Sequence, residues 1–169
     1  VFLYDADCQA ELTATNHCGF HKYTFANDYD NARIMLDLNY PAEYGTDIHE
    51  GYFKVISDQE IEGYADTRVA GDYILHYNIK FNKPFKTFNG WKDESVLVQV
   101  SLSLVDQQGC KNNYEAELKP YGWDFDAVHQ AAKQEWNTLL SKIEVEGDEA
   151  DKKKFYTNLY RAYAKQTWS

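Results

Sequence analysis

Methionine is almost missing from this sequence, with one in 169 residues, while there are 14 tyrosines, nine phenylalanines and four tryptophans. An apolar complement this aromatic suits half-buried pleated surfaces better than a helical bundle. Basic residues are also scarce, 17 against 27 acidic ones, which leaves a formal net charge of −10. That balance repels a phosphate backbone, and no cluster of Lys or Arg offers a footprint for nucleic acid or an anionic membrane. No apolar run approaches the ~18 residues of a membrane span. The opening residues, VFLYDADCQAELT, lack the basic and apolar regions of an export signal, which would be removed or lie upstream. Three cysteines, Cys8, Cys18 and Cys110, are an odd number at unpatterned spacing, so they indicate neither a disulfide framework nor a zinc site and read as buried, inert thiols. No Asn-x-Ser/Thr sequon occurs, which fits a bacterial source. Nucleophile elbow, P-loop, GxGxxG and HExxH motifs are absent as well, so nothing organises covalent, nucleotide or zinc-protease chemistry.

What is present is a succession of short alternating segments. Residues 9–15 alternate apolar and polar, Asn16-His17-Cys18-Gly19 forms a turn signal, and residues 20–25 (FHKYTF) alternate again, which predicts a β-hairpin. Further strands are predicted at 33–38, 51–57, 60–64, 73–81 and 95–104, with Asn, Asp, Gly and Pro in the breaks. Strands of this kind bury one face against a partner layer, so the expected fold class is mainly β, an antiparallel β-sandwich. The sheet is expected to end near residue 120. Beyond it the period changes: Phe125, Val128, Ala132, Trp136, Leu139 and Ile143 share a helical stripe, with Asp124 placed as cap, which predicts a helix over 124–142. A second helix begins at Asp148 or Glu149 and carries Phe155, Leu159 and Tyr163 on one face, with Tyr156 and Tyr160 beside it. The division is therefore 1–120 as sandwich, its N-terminal part expected to be missing, and 121–169 as a helical linker. Both ends read as cut.

A glycosidase needs two carboxylates flanking the scissile bond, ~5 to 10 Å apart. Most acids here instead read as turn residues (Asp28, Asp30, Asp47, Asp58, Asp72) or as members of helix faces (Glu115, Glu117, Glu135, Glu149). His17, His21, His49, His76 and His129 show no metal-ligand spacing, and His21 and His76 fit the edge of a core. Asp28, Asp30 and Asn31 form an oxygen-rich turn without the spacing of an EF-hand. Trp91, in the loop FKTFNGWKDES, is the one isolated aromatic placed to stack on a sugar ring, and a Trp folded back on the sandwich is the structural alternative. No catalytic or metal-ligating residue is assigned. At Trp123-Asp124-Phe125-Asp126 the Asp caps a helix while Trp and Phe clamp its first turn.

The order of several segments resembles the N-terminal domain of glycoside hydrolase family 92, whose members are calcium-dependent exo-acting α-mannosidases. The segments are AELTATNHCGFHKYTF (10–25), IEGY (61–64), YNIKFNKPF (77–85), VLVQVSLSLVDQQGCKNNYEAEL (96–118), GWDFDAVHQAAKQEWNTLLSKIEVEG (122–147) and KKKFYTNLYRAY (152–163). One departure is Ala65-Asp66 after IEGY, where many relatives carry a basic residue. The resemblance implies a β-sandwich, then linker helices, then an (α/α)6 barrel that this chain would not contain. It implies that the general acid, the general base and the calcium ligands belong to that barrel, and that a glycine-rich substrate-facing stretch lies upstream of Val1. No cofactor is then expected in these residues, and calcium is expected in the parent enzyme. The expected function is that of a non-catalytic domain of a secreted or periplasmic bacterial enzyme acting on mannose-containing glycans with inversion, its chief partner being the barrel of the same polypeptide. In that case Phe155, Tyr156, Tyr160 and Trp168 face the barrel. The alternative is an autonomous carbohydrate-binding sandwich without hydrolase activity, which predicts paired aromatics around one groove.

Overall fold

The computed structural model describes residues 1–26, 34–37, 48–67, 73–85 and 95–164. It divides into two compact units, residues 1–129 and 130–169.

In the first unit the described strands are β1 (Phe2–Leu3), β2 (Cys8–Ala14), β3 (Cys18–Phe25), β4 (Ile48–Ser57), β5 (Glu60–Thr67), β6 (Tyr73–Phe81) and β7 (Ser95–Ser103). They form one seven-stranded sheet in the order β1-β2-β3-β7-β6-β5-β4, with every pairing antiparallel. The mainly-β antiparallel class followed by helices is the one expected from the sequence. Short turns set the local registers. Thr15–Cys18 joins β2 to β3, with Thr15 N–H donating to the Cys18 carbonyl at 2.8 Å, and Asp58-Gln59 joins β4 to β5. Between Val55 and Ser57 the β4–β5 register shifts by a bulge. The strand expected at 33–38 has no counterpart in residues 34–37, which are irregular, and its remaining positions lie outside the described residues. Ile34 packs against the core from that irregular segment.

Alternation gives the sheet two unlike faces. On one, Cys8, Phe25, Tyr77, Ile79, Phe81, Val96 and Val98 are buried together, with Tyr23, Ile61, Phe85, Val100 and Leu102 packed around them. On the other, Cys18 and Phe20 pack with Leu118, Phe125 and Val128. The helix α1 (Gln107–Glu117) lies on this second face against β7, β6 and β3. Asp106 caps it, accepting the Gly109 N–H at 2.6 Å. Gly109 is poor for helix propensity, yet a Cβ there would collide with the Ser103 side chain, so its absence lets α1 close onto the end of β7.

A short 3-10 turn (Lys119–Tyr121) leads through Gly122, at φ 55°, to α2 (Phe125–Leu140). Asp124 caps α2 as its position predicted, accepting the Ala127 N–H at 2.9 Å. Phe20 meets Trp123 and Phe125 edge to face, at centroid distances of 6.1 and 5.4 Å. The Trp-Asp-Phe junction is therefore a clamp.

The second unit contains the later turns of α2 and α3 (Glu149–Ala164). Asp148 caps α3 through the Asp151 N–H at 2.8 Å. Trp136 packs on Tyr160 at 4.6 Å, and the Tyr156 hydroxyl donates to the Ile143 carbonyl at 3.1 Å. No residue of α3 is buried: Phe155 and Tyr156 are half-covered and Tyr160 is exposed. Trp168 lies outside the described residues.

Candidate functional site

Polar chemistry in the first unit concentrates on the α1 face of the sheet, in three groups. The first is a carboxylate clamp. Glu117, at the end of α1, receives the Thr15 hydroxyl at 2.5 Å and the His17 backbone N–H at 2.9 Å on one oxygen, and its other oxygen meets His17 Nδ1 at 2.5 Å. One side chain thus holds the β2–β3 turn to the helix. Burial pushes the Glu117 carboxyl up, but the bonds from Thr15 and His17 and the imidazole charge outweigh that and hold it below the ordinary glutamate range.

The second group lies under the middle of α1. Asn78, buried on β6, donates to Glu60 at 2.8 Å, and Lys80 pairs with the same carboxylate at 3.0 Å while its ammonium sits over the Tyr114 ring. Lys111 reaches Glu62 at 3.4 Å. Desolvation raises Glu60, and Asn78, Lys80 and Lys111 together bring it below its usual range. Gln99, also buried, donates to the Gly122 carbonyl at 2.7 Å and so ties the central strand to the α1–α2 connection.

The third is an aromatic row at the β4 end of the sheet. Tyr52, Tyr64 and His76 are register partners on β4, β5 and β6, with ring centroids 5.2 and 6.0 Å apart. Glu50 and Asp66 are the next pair along, and the Tyr64 hydroxyl donates to Glu50 at 2.8 Å.

The residues singled out in the sequence fall as follows. Trp91 lies outside the described residues, as do Asp28, Asp30, Asn31, Asp47 and Asp72. Asp58 sits in the β4–β5 turn, and Glu115, Glu117, Glu135 and Glu149 lie on helices. His21 is half-buried beside Tyr23, with Nδ1 3.0 Å from its hydroxyl, and burial lowers its pKa. His76 joins the aromatic row. Among the described residues no group of three or more His, Cys, Asp or Glu side chains could hold a metal ion. The three cysteines are unpaired and buried. Burial is the largest influence on each thiol, pushing Cys18 up to about 12 and Cys110 to about 11. Sequence reasoning missed the Glu117 clamp and the Tyr52–Tyr64–His76 row, because their members meet only through turn placement and strand register.

Fold and chemistry together define a mainly-β domain followed in sequence by capped helices, many of whose acids are committed to caps and ion pairs. The model of the glycosyl hydrolase family 92 N-terminal domain matches residues 1–159. The chain belongs to that family. Its fold is that of part of the family GH92 α-mannosidase BT3965 from Bacteroides thetaiotaomicron. TM-score is 0.84 and identity 22%, with 95% of this chain and 26% of that one aligned. The structure of the same mannosidase in complex with mannoimidazole matches equally, at TM-score 0.84 and 22% identity over 95% of this chain and 25% of that one. This sequence therefore spans about a quarter of the length of those solved chains. No curated protein sequence matches it.

Proposed function

We propose that this chain is the non-catalytic, scaffold-forming N-terminal domain of an α-mannosidase-like glycoside hydrolase that acts on mannose-containing glycans, with residues 1–120 as the sandwich portion and 121–169 as the linker to a catalytic barrel. The observation that carries the reading is the family match across residues 1–159. The side chains support it. An inverting glycosidase requires an acid and a base carboxylate about 6.5 to 9.5 Å apart, one protonating the leaving oxygen while the other activates water. Here Glu117 clamps a turn, Glu60 and Glu62 pair with lysines, and Asp106, Asp124 and Asp148 cap helices. Each is committed to structure. Calcium, in this reading, is bound by residues of the barrel, and the enzyme works in the periplasm or outside the cell. The half-covered aromatics Phe155 and Tyr156 and the exposed Tyr160 suit α3 to packing against that barrel. Trp91 stays a candidate sugar contact.

The experiment is an assay of the full-length gene product and of residues 1–169 on α-linked mannobioses, with and without a calcium chelator. Mannose release by the full-length enzyme, sensitive to chelator, with none from residues 1–169, is expected. Hydrolysis by residues 1–169 alone would overturn the proposal.

A further inference from the structure

The row Tyr52–Tyr64–His76 is not needed to hold the sheet to α1. That helix packs on β7, β6 and β3, and reaches β5 through Gln107, which donates to the Gly63 carbonyl, and through Lys111 on Glu62. The row continues past it to the edge strand, where Tyr52 is 44% exposed. On the same face of β4, Glu50 precedes Tyr52 and Lys54 follows it. One side of this wing therefore offers aromatic rings edged by two carboxylates, Glu50 and Asp66, and an ammonium. The other side is more apolar at the edge strand, with Phe53 58% and Val55 52% exposed. The row also exists only because of the bulge near Ile56. An unbroken ladder counted from the Asp58-Gln59 turn pairs Phe53, not Tyr52, with Tyr64.

We propose that this row is a binding surface for a neutral oligosaccharide, a subsite away from the reaction centre; the proposal rests on the carbohydrate reading above. Tyrosine rings present a flat, electron-rich face to the C–H face of a pyranose. Carboxylates at the rim accept hydroxyl protons in charge-assisted bonds. His76, half-buried behind Tyr64, closes the row with its ring, and its buried Nδ1 has no hydrogen-bond partner among the described residues. Anionic glycans are disfavoured by Glu50, Asp66 and the net charge of −10. A flat apolar protein partner fits poorly, since it would bury the Glu50 and Asp66 carboxylates without giving them donors.

The test is an NMR and calorimetric titration of the protein with α-linked mannotriose, maltotriose and sialyllactose. Mannotriose is expected to bind weakly and to shift the amides of Glu50, Tyr52, Tyr64 and His76. Tyr52→Ala, at an exposed position, is expected to weaken binding about tenfold, as truncation of an aromatic anchor does, while Tyr52→Trp retains it. Shifts confined to other strands, binding unchanged in Tyr52→Ala, preference for sialyllactose, or no response to either neutral sugar would each overturn the proposal. Because the wild-type shift map stands alone, a variant that misfolds does not shield it. Maltotriose binding without mannotriose binding would uphold the surface and count against the mannose reading, which the hydrolysis assay tests separately.

Discussion

Replacing Glu117 by alanine tests whether one carboxylate secures the β2–β3 turn. Its side chain is 18% exposed and takes three bonds, while the His17 side chain is 58% exposed. The imidazole contact is therefore screened and is worth at most about 1 kcal/mol. The bonds from the Thr15 hydroxyl and the His17 N–H are better shielded and contribute about 1 kcal/mol each. Together they give a loss of about 2 to 3 kcal/mol, or roughly 5 to 10 °C in Tm for a chain of this size. The pH dependence has a definite sign. The Glu117 pKa is lower in the folded state, so its contribution is complete above the ordinary glutamate value and is lost as pH falls through the folded one. Thermal melts of both proteins from pH 7 to pH 3 should show a gap that is full near neutrality and narrows toward the acid end. Melting points within about 1 °C at pH 7 would refute the clamp, because the bonds would then be no better than those to water. A gap independent of pH would show that the loss comes from packing and not from the charge.

Gly63→Ala places a methyl group against the Tyr52 carbonyl and the Tyr77 hydroxyl, and the overpacking should cost about 3 kcal/mol or more, read as a lower denaturant midpoint. A normal midpoint would mean that β4 and β5 can part without loss. Cys8, Cys18 and Cys110 should resist a thiol reagent at pH 8 in the native protein and react fully in guanidinium, since burial keeps all three protonated. Rapid native labelling would show that the sheet opens locally at Cys8 or Cys18, or that α1 lifts at Cys110. Asp124→Ala should cost about 1 kcal/mol by removing a helix cap, and Asp124→Asn should recover most of it, as followed by urea unfolding.

Much of the fold was legible wherever local pattern and tertiary packing agree. The alternation of YILHYNIKF marks β6 at both its ends, and the 3.6-residue stripe from Phe125 with its Asp cap marks α2. The helix α1 was not delimited, although Glu115 and Glu117 were read as helical. Its sequence, QQGCKNNYEAE, carries Gly109 and two asparagines and buries only Cys110, so it has neither propensity nor a stripe. It forms because Asp106 caps it and Ser103 admits Gly109. The site was less legible for a geometric reason. Thr15 and Glu117 are 102 residues apart, and a one-residue bulge decides which aromatic side chain of β4 stands beside Tyr64.

The strand order also bears on how the chain reaches this state. The hairpin β2–β3 and the meander β4–β5–β6–β7 each pair neighbours in sequence, whereas β3 joins β7 across more than 70 residues, Tyr23 against Val96. Loop-closure entropy opposes that seam until both local pieces exist. The seam is therefore expected to zip last, and pulsed hydrogen exchange should find the β5–β6 amides protected before those shared by β3 and β7. The buried side chains on both sides of the seam, Phe20, Val96 and Val98, would then be the last to dehydrate.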